Sequence, residues 1–218
     1  MTHDILTHDS PAPPAPRGDH PVKILVVTAT LDAGGTESMS VALANALAAD
    51  GLPVCFAAAI GPLRTTLDRR VAYLMTDDAG HAPIKTAHEL SRYLRHHRPT
   101  VIHSHGAACA VVAAVAVKAG HASCLRVMTH HARGLRGVPR WIAGPIVRRC
   151  ADHYLVVSPE LKTDLEQLGV PGERISVVTS PADAGGQTGA SEPVNGVQVA
   201  LASVPVYRRL LAARGGET

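Results

Sequence analysis

The chain has 218 residues, enough to bury one good core but short of two full domains. Its 21 basic and 18 acidic residues leave a formal charge of +3, with aromatics at 3%, and so mild a charge with so few rings for bases to stack on excludes a nucleic-acid binder. The longest apolar run, Ala107 to Val117, is eleven residues, against the roughly 20 that a helix needs to cross a bilayer.

Residues 1–21 are polar and proline-rich (Ser10-Pro11-Ala12-Pro13-Pro14-Ala15-Pro16), without an apolar segment of the secretory type. They read as a disordered leader on a cytoplasmic protein. Cys55, Cys109, Cys124 and Cys150 lie far apart with no C-x-x-C pair, so they are expected as buried small hydrophobes in a reducing compartment.

Ile24 to Val27 is a continuous apolar run, the mark of a parallel strand covered on both faces. Ala33-Gly34-Gly35 forces a turn, Thr36 is placed to cap the helix that follows, and Glu37 falls in its first turn. Strand, glycine loop and helix start form a concavity suited to a phosphate or a polar sugar. A helix then runs to Asp50, and Val54 to Ile60 is a second buried strand ended by Gly61-Pro62. Val71 to Met75 makes a short strand, and Ile84 to His97 an amphipathic helix stopped by Pro99.

Thr100 to His103 is the next strand, running through Ser104-His105-Gly106 into the helix Ala107 to Ala119. There follow strand Leu125 to Thr129 with His130-His131 at its end, a loop at Gly134 to Gly137, and a helix around Trp141 to Cys150. Strand His153 to Val157, helix Pro159 to Leu168 and strand Arg174 to Thr179 complete the pattern. This β-α-β-β-α-β-α-β-α-β-α-β order predicts a single α/β domain with an open, doubly wound, mostly parallel sheet over residues 22–183. Residues 184–218 read as linker and tail, with a short strand at Val197 to Ala202 and a short basic helix at Val206 to Arg214.

Ligands of such sheets gather at the carboxyl ends of the strands. The polar residues Gly34-Gly35, His103 to Gly106, His130-His131 and Ser158 all fall there.

Gly34-Gly35-Thr36-Glu37 resembles the G-G-x-E loop of the retaining family-four glycosyltransferases of GT-B fold, and Pro99 to Gly106 resembles their R-P-D-V-V-H-x-H-G segment. Val127-Met128-Thr129-His130-His131 is similar to their T-x-H strand end, Ala151 to Ser158 to their A-D-x-x-I-x-V-S strand, and Gly169 to Asp183 to their G-V-P-x-E-K-I-x-V-I-x-N-P-x-D close. The resemblance, over about residues 22–183, implies the N-terminal Rossmann-like half of such an enzyme. That half holds the sugar or lipid-linked acceptor while a nucleotide-sugar donor supplies the sugar, with no cofactor and no metal. By motif, Gly34 and Gly35 lie by donor phosphates and acceptor, with Thr36 and Glu37 beside them as candidate substrate contacts, and His130 lies near the transferred sugar as the catalytic candidate. His103, His105, Gly106, His131 and Ser158 are further candidate contacts. Thr100 stands where the family usually has Asp. The family's second domain, with its Arg, Lys and E-x7-E residues, is not found after Asp183, so a separate donor-binding chain or self-association is expected. The alternative is a non-catalytic binding module or a truncated remnant.

Several residues carry competing readings. His103 and His105 are taken to point to opposite faces of their strand end, so that they share a pocket only if the backbone turns between them. A zinc site built from His103, His105, His130 and His131 would need three of them convergent. Arg133, Arg136, Arg140, Arg148 and Arg149 around Trp141 are either a solvated basic face or a docking surface for anionic lipid. Ser158, followed by Pro159, caps a helix in preference to acting as a nucleophile. A nicotinamide-binding protein fits the fold but not the loop, which lacks G-x-G-x-x-G, and no acidic residue ends the second strand.

Overall fold

A computed structural model describes residues 22–131, 139–178 and 196–215. In chain order the elements are β1 (Ile24–Thr30), α1 (Gly35–Ala49), β2 (Val54–Ala59), β3 (Ala72–Met75), α2 (Pro83–His97), β4 (Val101–His105), α3 (Ala107–Ala119) and β5 (Leu125–His130). They continue with α4 (Arg140–Cys150), β6 (His153–Val156), α5 (Pro159–Gln167), β7 (Ile175–Val177) and α6 (Gly196–Gly215). The sheet order is β3-β2-β1-β4-β5-β6-β7 and every pairing is parallel. It is the doubly wound order that the apolar runs predict, wholly and not mostly parallel.

Because both faces are covered, alternate residues of each strand enter different cores. On one face Ile24, Val26, Val54, Phe56, Val101 and Val127 meet Leu43 and Leu47 of α1 and Val199 and Tyr207 of α6. On the other, Leu25, Val27, Cys55, Ala57 and Ile102 pack on Leu90 and Leu94 of α2 and on Val112 and Ala116 of α3. Met128, Tyr154 and Val156 extend that face beneath Val147 of α4 and Leu161 and Leu165 of α5. The four cysteines are free and buried, as expected.

The C-terminal segment differs from its expectation. Val197 to Ala202 is not a strand and Val206 to Arg214 is not a separate helix: both belong to α6, which runs through Pro205. The apolar run there is compatible with a period of two or of 3.6, and the helical one prevails. Val199, Ser203 and Tyr207, four residues apart, are fully buried on one stripe, and α6 packs against α1.

Several motif residues prove to be staples of the fold. The Lys23 N–H donates to Thr100 Oγ1 at 2.8 Å, and the Thr100 hydroxyl donates to the Lys23 carbonyl at 3.1 Å, so threonine fastens the start of β4 to β1 without a carboxylate. The Asp152 carboxylate accepts the Arg126 backbone N–H and its guanidinium, at 2.9 and 2.6 Å, joining the starts of β5 and β6. The Arg174 guanidinium donates to the carbonyls of Ala151, Asp152 and Arg148.

Burial pushes His103 down to about 3 and His131 and His153 to about 4, and holds His105 well below the usual histidine value of 6.5. In the unfolded chain all four titrate near 6.5. Below that pH the unfolded chain takes up protons that the folded chain refuses, so stability falls as pH falls from about 6.5 towards 4, by up to about 1.4 kcal/mol per pH unit for each histidine. Urea unfolding is expected to show a midpoint that drops steeply from pH 7 to pH 5 and a shallower drop in His153→Gln; a flat profile would contradict this burial.

Candidate functional site at the carboxyl edge of the sheet

All seven strands end at one edge, and the order reverses direction between β1 and β4, leaving a crevice between their carboxyl ends. The loop after β1 forms one wall. Leu31 is buried, its N–H donates to the Ala59 carbonyl, and its own carbonyl accepts the Leu63 N–H at 2.9 Å. Gly61 makes this clamp feasible: a Cβ there would collide with the Leu31 carbonyl and lie 2.7 Å from the Asp32 nitrogen, both immovable backbone. Sequence reasoning took Gly61 only as the end of a strand. Its role lies in a contact between two distant loops.

Gly34 is the N-cap of α1 in extended geometry, without a side-chain cap. Thr36, expected as that cap, lies inside the first helical turn, because the cap falls two residues earlier, at Gly34. Glu37 folds back over Gly34, where a Cβ would collide with its carboxylate. The negative charge favoured at this helix start is thus supplied by the chain itself. Gly35 has open space where its Cβ would be. Across the crevice Gly106, with φ of +84°, opens α3 in a conformation that suits glycine. Ser158 caps α5, its hydroxyl accepting the Leu161 N–H at 3.4 Å.

The histidines form two groups. His103 and His105, expected on opposite faces, share one: residues two apart on a strand point the same way, and their rings stack at 4.8 Å between centroids. His103 is fully buried, with Nδ1 2.5 Å from the Tyr207 hydroxyl and Nε2 2.6 Å from Thr129 Oγ1. His105 Nδ1 shares a hydrogen bond with His131 Nε2 at 3.0 Å, and these rings stack too. The three make a ladder rising along β4 and β5 to the edge. His130, one residue from His131, faces the opposite side of the sheet, where Asp164 of α5 is its charged neighbour. The four histidines therefore do not converge on one point, and among the described residues no group of three or more ligating side chains is arranged to hold a metal ion.

Burial lowers the affinity of all four rings for protons, so at neutral pH they are uncharged, each with one donor and one acceptor. His105 Nε2 and His130 Nε2 are buried without a hydrogen-bond partner among the described residues. Among the described residues these candidates offer neutral imidazoles, peptide N–H groups at three helix starts and one carboxylate, but no cation.

Around this polar centre the edge is apolar. Ile84 is 86% exposed and Ile60 69%, and each follows the carboxyl end of a strand; Trp141, 77% exposed, lies instead beside Gln167, Leu168 and Gly169 at the far end of α5. Met75 and Val177, the last residues of β3 and β7, are also exposed. Of the arginine cluster, Arg140, Arg148 and Arg149 are exposed on α4; Arg133 and Arg136 lie outside the described residues.

The wholly parallel sheet and its order define a Rossmann-like α/β domain. Residues 33–184, more than half of the chain, match the model of Glycosyltransferase Family 4, and the protein belongs to that family. Among solved structures it is similar to a sucrose-phosphate synthase from Thermosynechococcus elongatus (15% identity, TM-score 0.62, covering 87% of this chain and 99% of that one). It is also similar to a glycosyltransferase from Rickettsia africae (19%, 0.60, 72% and 42%) and to Anabaena HepE in complex with UDP-glucose (17%, 0.58, 74% and 47%). At these identities the likeness shows the fold. The chain spans about half the length of the last two, as the N-terminal half of a GT-B fold would. No curated protein matches it.

Gly61→Ala should push the loop after β1 out of its clamp and cost about 1 to 3 kcal/mol, read as a lowered urea midpoint with the largest amide shifts at residues 31–35. Wild-type stability in that variant would contradict the clamp.

Proposed function

We propose that this chain is the acceptor-binding half of a retaining glycosyltransferase, working with a nucleotide-sugar donor held mainly by a separate donor-binding domain or chain. What supports the reading is the chemistry of the described candidate residues at the carboxyl edge: uncharged imidazoles, the peptide N–H groups of helix starts and the Glu37 carboxylate, with no cation among these residues. Such a set pairs with the many weak donors and acceptors of a sugar and does little for a diphosphate, whose charge calls for arginine, lysine or a metal. The apolar rim at Ile60 and Ile84 supports a protein partner seated over the same edge. HepE, with which the chain shares its fold, was solved with UDP-glucose.

In this reading Gly34, Gly35 and Gly106 let the ligand reach the backbone, Thr36, Glu37, His103, His105 and His131 shape the acceptor side, and Ser158 lies at the far rim. His130, whose Nε2 is buried without a described partner, contacts the transferred sugar. In a retaining transfer positive charge grows on the sugar carbon and negative charge on the leaving diphosphate, so a positioned neutral ring assists by orientation and dipole, not as a strong base.

Gly35→Ala separates function from folding, because its Cβ enters open space in the free chain. On a glycan array that includes lipid-linked saccharides, the full chain should bind at least one class of neutral saccharide, and Gly35→Ala should lose that binding at an unchanged Tm. No glycan binding, or binding indifferent to Gly35→Ala, would refute the reading.

A peripheral contact with a cytoplasmic membrane face completes the proposal. Trp141 is exposed between Arg140 and the Arg148-Arg149 pair on a helix without acidic residues, and no described helix is long and apolar enough to cross a membrane. The unpaired buried thiols fit a reducing compartment. The full chain should co-sediment with phosphatidylglycerol-containing vesicles and not with pure phosphatidylcholine, the binding falling with salt and in Trp141→Ala; equal sedimentation with both vesicle types would end this part.

A further inference from the structure

The histidine ladder is tied down at its buried end by a residue from the far end of the chain. His103 has both ring nitrogens engaged, by Tyr207 of α6 on one side and Thr129 of β5 on the other. The Tyr207 ring meets His103 edge-on at 5.9 Å, and all three residues are fully buried. Beyond His103 the contacts continue: His103 stacks on His105, and His105 stacks on and hydrogen-bonds His131. The far end of the ladder thus lies at the edge where the candidate ligand site is.

A buried neutral imidazole has two tautomers, and which one it holds depends on the partners of its nitrogens. With both nitrogens of His103 bonded to hydroxyls, its ring cannot flip without breaking buried hydrogen bonds, and a change of tautomer requires both hydroxyls to reverse their bonds together. The ring plane of His103 sets the stacking plane for His105, and the orientation of His105 decides whether its Nδ1 meets His131 Nε2.

We propose that Tyr207 is a positioning residue of the site: its hydroxyl, delivered by α6, fixes the ring of His103 and through His105 holds His131 in one orientation at the carboxyl edge. Helix α6 is then part of the site's construction although it touches no ligand. The consequence for sugar binding rests on the proposed function, but the ordering of the ladder does not, and it is tested without any ligand.

The test is imidazole 15N NMR of the uniformly labelled full chain, with amide hydrogen exchange recorded on the same samples. In the wild type His103, His105 and His131 should each show the distinct Nδ1 and Nε2 shifts of a single tautomer. In Tyr207→Phe, His131 and His105 should move to averaged two-tautomer shifts while the α6 amides keep their protection. Leu210→Ala, which trims a partly buried contact of α6 with the core and leaves the hydroxyl in place, should loosen α6 without converting the ladder to averaged shifts. The proposal is overturned if His131 is unchanged in Tyr207→Phe, or if it changes only when α6 protection is lost as well. It is equally overturned if the wild-type rings already average two tautomers, an observation that stands even should Tyr207→Phe not fold. Loss of glycan binding in Gly35→Ala with an intact ladder would leave this inference standing; an ordered ladder without glycan binding would count against the functional reading alone.

Discussion

Because all seven strands run the same way, every strand delivers its last residue to one edge, and the reversal of order between β1 and β4 parts the loops there. The rest of the molecule follows from this constraint. Parallel pairing requires helices on both faces, which is why the central strands are apolar on both sides, while His103 inside β4 is accommodated by its own buried partners, Tyr207 and Thr129. Gly34-Gly35, Gly106, His130-His131 and Ser158 come from four separate stretches of chain and meet at this edge for no other reason than their place at strand ends.

The electrostatics of the edge come from burial. The same packing of α1, α6 and the loops that hides His103, His105 and His131 strips them of charge at neutral pH, and Glu37 turns back on its own helix start. A concavity that backbone geometry alone would recommend for phosphate is thereby better matched to an uncharged, hydroxyl-rich ligand. Membership of Glycosyltransferase Family 4 sits comfortably with that chemistry, since a sugar acceptor is such a ligand and the diphosphate of a donor can be neutralised from the opposite wall.

Much of this was legible in the amino-acid sequence. The order of elements could be read from apolar runs between glycine and proline breaks, and the strand-end residues could be read from their places. What escaped depends on contacts between remote residues. Tyr207 and His103 are 104 positions apart, and nothing in the local run around Tyr207 announces a partner. Gly61 is fixed by the backbone of Leu31 and Asp32, which only a folded loop brings near. The apolar run at Val197 to Ala202 suits strand and helix alike, and the core decided between them. His103 and His105 are a different case, for their spacing of two already places them on one face.

In the proposed function this edge receives a neutral sugar and leaves the donor's diphosphate to another domain. Calorimetric titration of the full chain with UDP-glucose tests it most directly. The affinity should be no tighter than on the order of 1 mM, about −4 kcal/mol, and unchanged by Gly35→Ala. Micromolar binding that Gly35→Ala abolishes would put the diphosphate on this edge and rule out a purely acceptor-binding role.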